Sequence, residues 1–100
     1  MEKIHVLLVE DELTLAMIIK DTLEEQEFII TTASDGEEGL RTFFAQKPDI
    51  VVADVMMPRM DGFEMVRRIR QTDKLTPVLF LTARSVSYTH LRAHETRRHL

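Results

Sequence analysis

At 100 residues, 44% hydrophobic and 30% charged, the chain has the size and make-up of one globular domain or a piece of one. It holds no cysteine, which excludes disulfides and thiolate metal sites. Net charge is −4 but uneven: residues 1–85 carry 10 basic and 16 acidic side chains, residues 86–100 three Arg and one Glu. So acidic a body argues against direct nucleic-acid binding by this segment. The apolar run at Ile4–Val9 is too short for a signal peptide or membrane span, so no membrane association and a cytoplasmic location are expected.

Ile4–Val9 is apolar except for His5, the pattern of a strand buried on both faces of a parallel sheet. From Leu13 to Glu25 the period becomes helical, with Leu15, Ile18, Ile19, Thr22 and Leu23 on one face. Phe28–Thr32 is short and β-branched, a second strand. Asp35-Gly36 turns the chain, and Asp35 is placed to cap a helix whose apolar stripe is Leu40, Phe43 and Phe44. Lys47-Pro48 ends that helix. Ile50–Ala53 reads as a third buried strand. Asp61-Gly62 opens a third helix with Phe63, Val66 and Ile69 inward, and Pro77–Leu81 is a fourth strand. The alternation predicts an α/β fold, a doubly wound parallel sheet with right-handed crossovers.

The chemistry gathers where the predicted strands end. Glu10 and Asp11 follow the first strand, Asp54 the third and Thr82 the fourth. Open α/β sheets build their sites along that edge. If the first and third strands are neighbours, three carboxylates converge and each raises the pKa of the others. A hard divalent cation removes that penalty, and carboxylate oxygens with open water positions suit Mg²⁺. Asp54 is the candidate nucleophile, since a carboxylate attacks a phosphoryl group to give an acyl phosphate. The metal ligands expected are Glu10, Asp11, Asp54 and the backbone carbonyl of Met56. Thr82 is expected to donate its hydroxyl to a phosphoryl oxygen, and the small Ala83 to leave access to Asp54. Taken singly, Glu10-Asp11-Glu12 reads equally well as a solvated loop, and Thr82 as a strand-end cap. Their matching positions favour a site. Pro58 and Gly62 shape the loop after Asp54, and Met60 has no assigned role.

These residues carry a family resemblance. The acidic pair Glu10 and Asp11, Asp54 within Asp-Val-Met-Met-Pro-Arg-Met-Asp-Gly, and Thr82 in Leu-Thr-Ala resemble the response-regulator receiver domain of two-component signalling, with its CheY-like, flavodoxin-like fold. The Asp-x-x-x-Pro-x-x-Asp-Gly spacing is the specific part. The resemblance spans residues 3–85. It implies that a sensor histidine kinase or phosphotransfer protein passes a phosphoryl group from phosphohistidine to Asp54, and that Thr82 moves toward it as the switch. It implies a phosphoacceptor active only in its own phosphorylation and dephosphorylation, not a turnover enzyme. It also implies that any output domain lies beyond this chain.

A complete receiver has five strands, five helices and a lysine after the fifth strand. Here no lysine follows Lys74, and no fifth strand can be placed. The string Val86–Thr96 resembles a translated sequencing adapter, so residues 86–100 are read as a non-native tail and residues 1–85 as the N-terminal part of a receiver. On that reading the fourth strand is an exposed edge, the sheet beside Leu15 and Ile19 lacks cover, and the 100-residue chain is expected to be unstable or aggregated. One alternative is a truncated or pseudo-receiver that cannot signal by phosphorylation. Another is a phosphatase of the haloacid-dehalogenase type, which wants a second Asp where Met56 stands. No G-x-G-x-x-G or P-loop supports nucleotide binding.

Overall fold

The computed structural model describes residues 2–81. Seven elements alternate in chain order: β1 (His5–Val9), α1 (Leu13–Glu25), β2 (Ile29–Ala33), α2 (Gly36–Gln46), β3 (Ile50–Asp54), α3 (Gly62–Ile69) and β4 (Val78–Leu81). The strands form one parallel sheet in the order β2-β1-β3-β4. The chain therefore steps from β1 outward to β2, then crosses back over β1 to reach β3. Crossovers of one hand running in opposite directions place their helices on opposite faces. That arrangement is observed.

Because side chains alternate along a strand, each strand feeds both faces. Leu7, Val9, Val51 and Ala53 point to the α2/α3 face, where they meet Phe43, Met65 and Ile69. Val6, Leu8, Ile30 and Val52 point to the other face, where they meet Ala16, with Ile19 and Leu23 beside it. The continuous apolar runs of β1 and β3 are thus explained, since both strands are central and bury side chains on both faces.

Local signals set the helix ends. The Glu38 amide donates to Asp35 Oδ1 at 2.8 Å at the start of α2, and the Glu64 amide donates to Asp61 Oδ1 at 2.8 Å at the start of α3. Lys47 ends α2 in the left-handed region at φ 51, immediately before Pro48. The second strand begins one residue later than expected, at Ile29. Glu27 turns at φ 71, and the Phe28 amide is still tied back to the Leu23 carbonyl at 3.2 Å.

Several inward assignments need correction. Phe44 and Phe63 are exposed, at 48% and 58%. In α3 the buried side chains after Gly62 are Met65 and Ile69, an i, i+4 pair, so Phe63 falls to one side and stacks edge-on against Phe80 of β4, ring centres 4.8 Å apart. Phe44 lies edge-on against the buried Phe43. In α1 the buried residue is Ala16, while Leu15, Ile18 and Thr22 are exposed. Thr22 turns its hydroxyl back to the Ile18 carbonyl at 2.8 Å. Met57 and Met60, in the loop after β3, are buried in the core of the α2/α3 face. Among the described residues β4 is a sheet edge, with Leu79 and Phe80 exposed.

Candidate metal and phosphoryl site

β1 pairs directly with β3, Val9 standing opposite Ala53. The next residues along both strands are Glu10 and Asp54, so the ladder itself brings two acids together at the carboxyl edge. On the other side of β1, the Glu10 amide extends the pairing with β2 by donating to the Ala33 carbonyl at 3.0 Å. Asp11 is the first residue past that point. Oxygens of Glu10, Asp11 and Asp54 all lie within 4.8 Å of one another. The convergence expected from the sequence is present.

The three acids are not equivalent. Glu10 is 3% exposed, Asp54 half-buried and Asp11 exposed. Glu10 Oε2 accepts from the Glu12 amide at 3.0 Å, but the buried Oε1 has no partner. Burial, opposed by the Glu12 amide and reinforced by the charges of Asp54 and Asp11, pushes the Glu10 carboxyl up to about 7. A buried carboxylate oxygen without a donor costs free energy unless something else satisfies it. A cation shared by Glu10 Oε1 and the carboxylates of Asp54 and Asp11 does so, and an all-oxygen donor set suits a hard divalent ion. The residues present therefore fit a metal.

The loop after β3 shapes the site. The Met56 amide donates to Asp54 Oδ1 at 3.2 Å, and Met56's side chain is exposed. The Gly62 amide returns to the Val55 carbonyl at 3.0 Å, closing the loop on itself. A Cβ on Gly62 would stand 2.4 Å from the Asp54 carbonyl oxygen, so only glycine fits this return. On the β4 side, the Val55 amide donates to the Leu81 carbonyl at 3.1 Å, and Leu81 pairs with Asp54. The expected roles of Thr82 and Ala83, the next two residues in the chain, lie outside the described residues, as does the 86–100 tail.

One contact at this edge has no counterpart in the sequence reading. Arg59 Nη2 donates to Asp35 Oδ2 at 3.3 Å, joining the loop after β3 to the start of α2. Asp35 was legible as a helix cap, but the second use of its carboxylate depends on the two loops being neighbours.

Comparison with known proteins decides the family. The model of the response regulator receiver domain matches residues 6–98. The chain belongs to the response-regulator receiver family. It is 44% identical over 81 residues to the transcriptional regulatory protein TrcR of Mycobacterium tuberculosis, an alignment covering 81% of this chain and 32% of that one. The receiver thus spans about a third of the length of the curated relatives it matches. Among solved structures it is similar to the response regulator TrrA of Thermotoga maritima in complex with Mg²⁺-BeF, at TM-score 0.79 and 35% identity, covering 88% of this chain and 76% of that one. It also resembles a structure of the histidine kinase ThkA in complex with TrrA, at TM-score 0.76 and 36% identity, with 90% and 74% coverage. The four-strand sheet seen here is thus the CheY-like, flavodoxin-like architecture. No helix among the described residues is long and apolar enough to cross a membrane.

Proposed function

We propose that Asp54 is the phosphoacceptor of this receiver and that Glu10, Asp11, Asp54 and the Met56 carbonyl hold the Mg²⁺ it needs. The observation that carries this reading is the convergence of three carboxylates around a buried Glu10 oxygen with no partner of its own. Bound there, Mg²⁺ would neutralise the equatorial phosphoryl oxygens as charge develops on them.

The chain's own residues do the rest. An Asp54 carboxylate oxygen attacks phosphorus and forms the acyl–phosphate bond. The bond from phosphorus to the donor's imidazole nitrogen breaks, and that nitrogen keeps the electron pair. The Met56 amide, bonded to Asp54 Oδ1, holds the carboxylate in one orientation and leaves Oδ2 for the attack. Thr82 senses the phosphoryl group through its hydroxyl, and Ala83 keeps the approach open. The receiver is a switch that takes part in its own phosphorylation and dephosphorylation.

The donor is a sensor histidine kinase or phosphotransfer protein, a reading supported by the kinase complex of the similar TrrA. The relatives named as transcriptional regulators are about three times as long as the matched region, so an output function belongs to sequence beyond it, in the cytoplasm. The family match runs on to residue 98, but we read the receiver sequence as residues 1–85 and residues 86–100 as a separate tail. A long sequencing read across the Ser85 codon tests that division.

Acetyl phosphate with Mg²⁺ is expected to add one phosphoryl group to the full chain by intact mass, and Asp54→Ala to abolish the gain. Labelling that survives this substitution would place the acceptor elsewhere. Labelling undiminished by a chelator would remove the metal from the reading.

A further inference from the structure

The loop between Asp54 and Gly62 is held at both ends and strained in the middle. Met57 and Met60 are buried, and Gly62 is tied to Val55. Between the two methionines, the Met60 amide donates to the Pro58 carbonyl at 2.7 Å, a three-residue turn centred on Arg59. Arg59 sits at φ 66. A γ-turn with positive φ is rare, and for a residue with a Cβ it is strained. Such a turn persists only where its surroundings hold it.

Two features of the neighbouring loop do so. Gly36 lets the backbone of Met60 lie against the first turn of α2, because a Cβ on Gly36 would stand 2.7 Å from the Met60 carbonyl oxygen. Beside it, the Asp35 carboxylate is divided between two tasks. Oδ1 caps α2 through the Glu38 amide, and Oδ2 accepts from the Arg59 guanidinium. The capping amide first, and Arg59 after it, hold the Asp35 carboxyl below the usual carboxylate range. Arg59 is 68% exposed and Asp35 26%, so the pair adds little to global stability. Its leverage is local. It closes the bend three residues after Met56, whose amide orients Asp54 and whose carbonyl is assigned to the metal.

We infer that Arg59 is a positioning residue for the metal and phosphoryl site, latched to Asp35 so that the strained turn keeps Met56 and Asp54 in register with Glu10 and Asp11. The inference rests on the reading of that site as a Mg²⁺ site. With the latch open, the turn relaxes, the Met56 backbone moves, and the metal is bound less well. The helix cap and the buried methionines remain in place.

The test is Mg²⁺ affinity by titration calorimetry on the full chain, with thermal melting alongside. Arg59→Ala removes the guanidinium. Asp35→Asn keeps a good helix cap and weakens the latch. Each is expected to weaken Mg²⁺ binding about threefold, the scale of one exposed ion pair. The double variant is expected to fall no further than either single one.

Charge alone makes a different prediction. Loss of Arg59's positive charge would tighten cation binding and loss of Asp35's negative charge would weaken it, so opposite signs overturn the latch. Arg59→Gly separates positioning from folding: it relieves the positive φ, so the melting temperature is expected to hold or rise, and the unstrained turn is expected to lose less Mg²⁺ affinity than Arg59→Ala. Affinity unchanged in Arg59→Ala and Arg59→Gly, with wild type binding Mg²⁺ normally, overturns the latch and leaves the site reading intact. A wild-type chain that binds no Mg²⁺ overturns both.

Discussion

The two faces of the sheet are built from the same strands but are covered unequally. On one face α2 and α3 pack side by side, and Leu7, Val9, Val51, Met65 and Ile69 are fully buried. On the other, among the described residues, α1 alone lies over β1 and β2, and Leu15, Ile18 and Leu79 remain exposed. Strand alternation supplies apolar side chains to both faces, so burial is set by the number of helices available to cover them. The site edge shows a third condition, a charged group buried deeply enough to resist ionisation. Substitutions on each should therefore differ in size and even in sign.

The largest effect is expected at the helix that completes the packed face. Gly62→Ala drives a methyl into the Asp54 backbone at 2.4 Å, where no side chain can swing aside. A loss of more than about 3 kcal/mol is expected, beyond ordinary overpacking. Denaturant unfolding showing less than about 1 kcal/mol would mean that the loop readily re-forms.

Met65→Ala should cost about 3 kcal/mol by removing a fully buried side chain, while Ile18→Ala, more than half exposed on the one-helix face, should cost well under about 1 kcal/mol. Equal losses in the two variants would show that α1 is as tightly covered as α3, and the contrast between faces would fail.

Smaller than the loss at Gly62 or Met65, and opposite in sign, is the gain expected at Glu10. The folded Glu10 carboxyl titrates near 7, above its ordinary value of 4.5. For a raised acid, the stability of the neutral form is fully present below pH 4.5 and is lost as pH rises through about 7. Metal-free wild type should therefore lose stability across that window. Glu10→Gln should be flat there and more stable at pH 8 by roughly 2 kcal/mol. Adding Mg²⁺ should restore the wild type but not the variant. Parallel pH profiles without metal would show that Glu10 is solvated in the folded state.

Much of this was legible along the chain. Asp35 and Asp61 each stand at a helix start, and each accepts the amide three residues on. The helical periods of 13–25 and 62–69 and the apolar runs of β1 and β3 are local statements, so they survive folding unchanged. Phe44 and Phe63 were not legible in the same way. Their spacing is as helical as that of Phe43 and Met65, and only the position of the neighbouring elements decides which flank is covered.

The same division holds at the site. Sequence alone determined which residues end the strands, because an acid after a β-branched run is a local pattern. It thus determined that Glu10, Asp11 and Asp54 share one edge. The tertiary structure decided that β1 and β3 are adjacent, that Glu10 is buried while Asp11 is exposed, and that Arg59 reaches Asp35. Strand order, depth and loop-to-loop contact depend on residues far apart in the chain, and no local period encodes them.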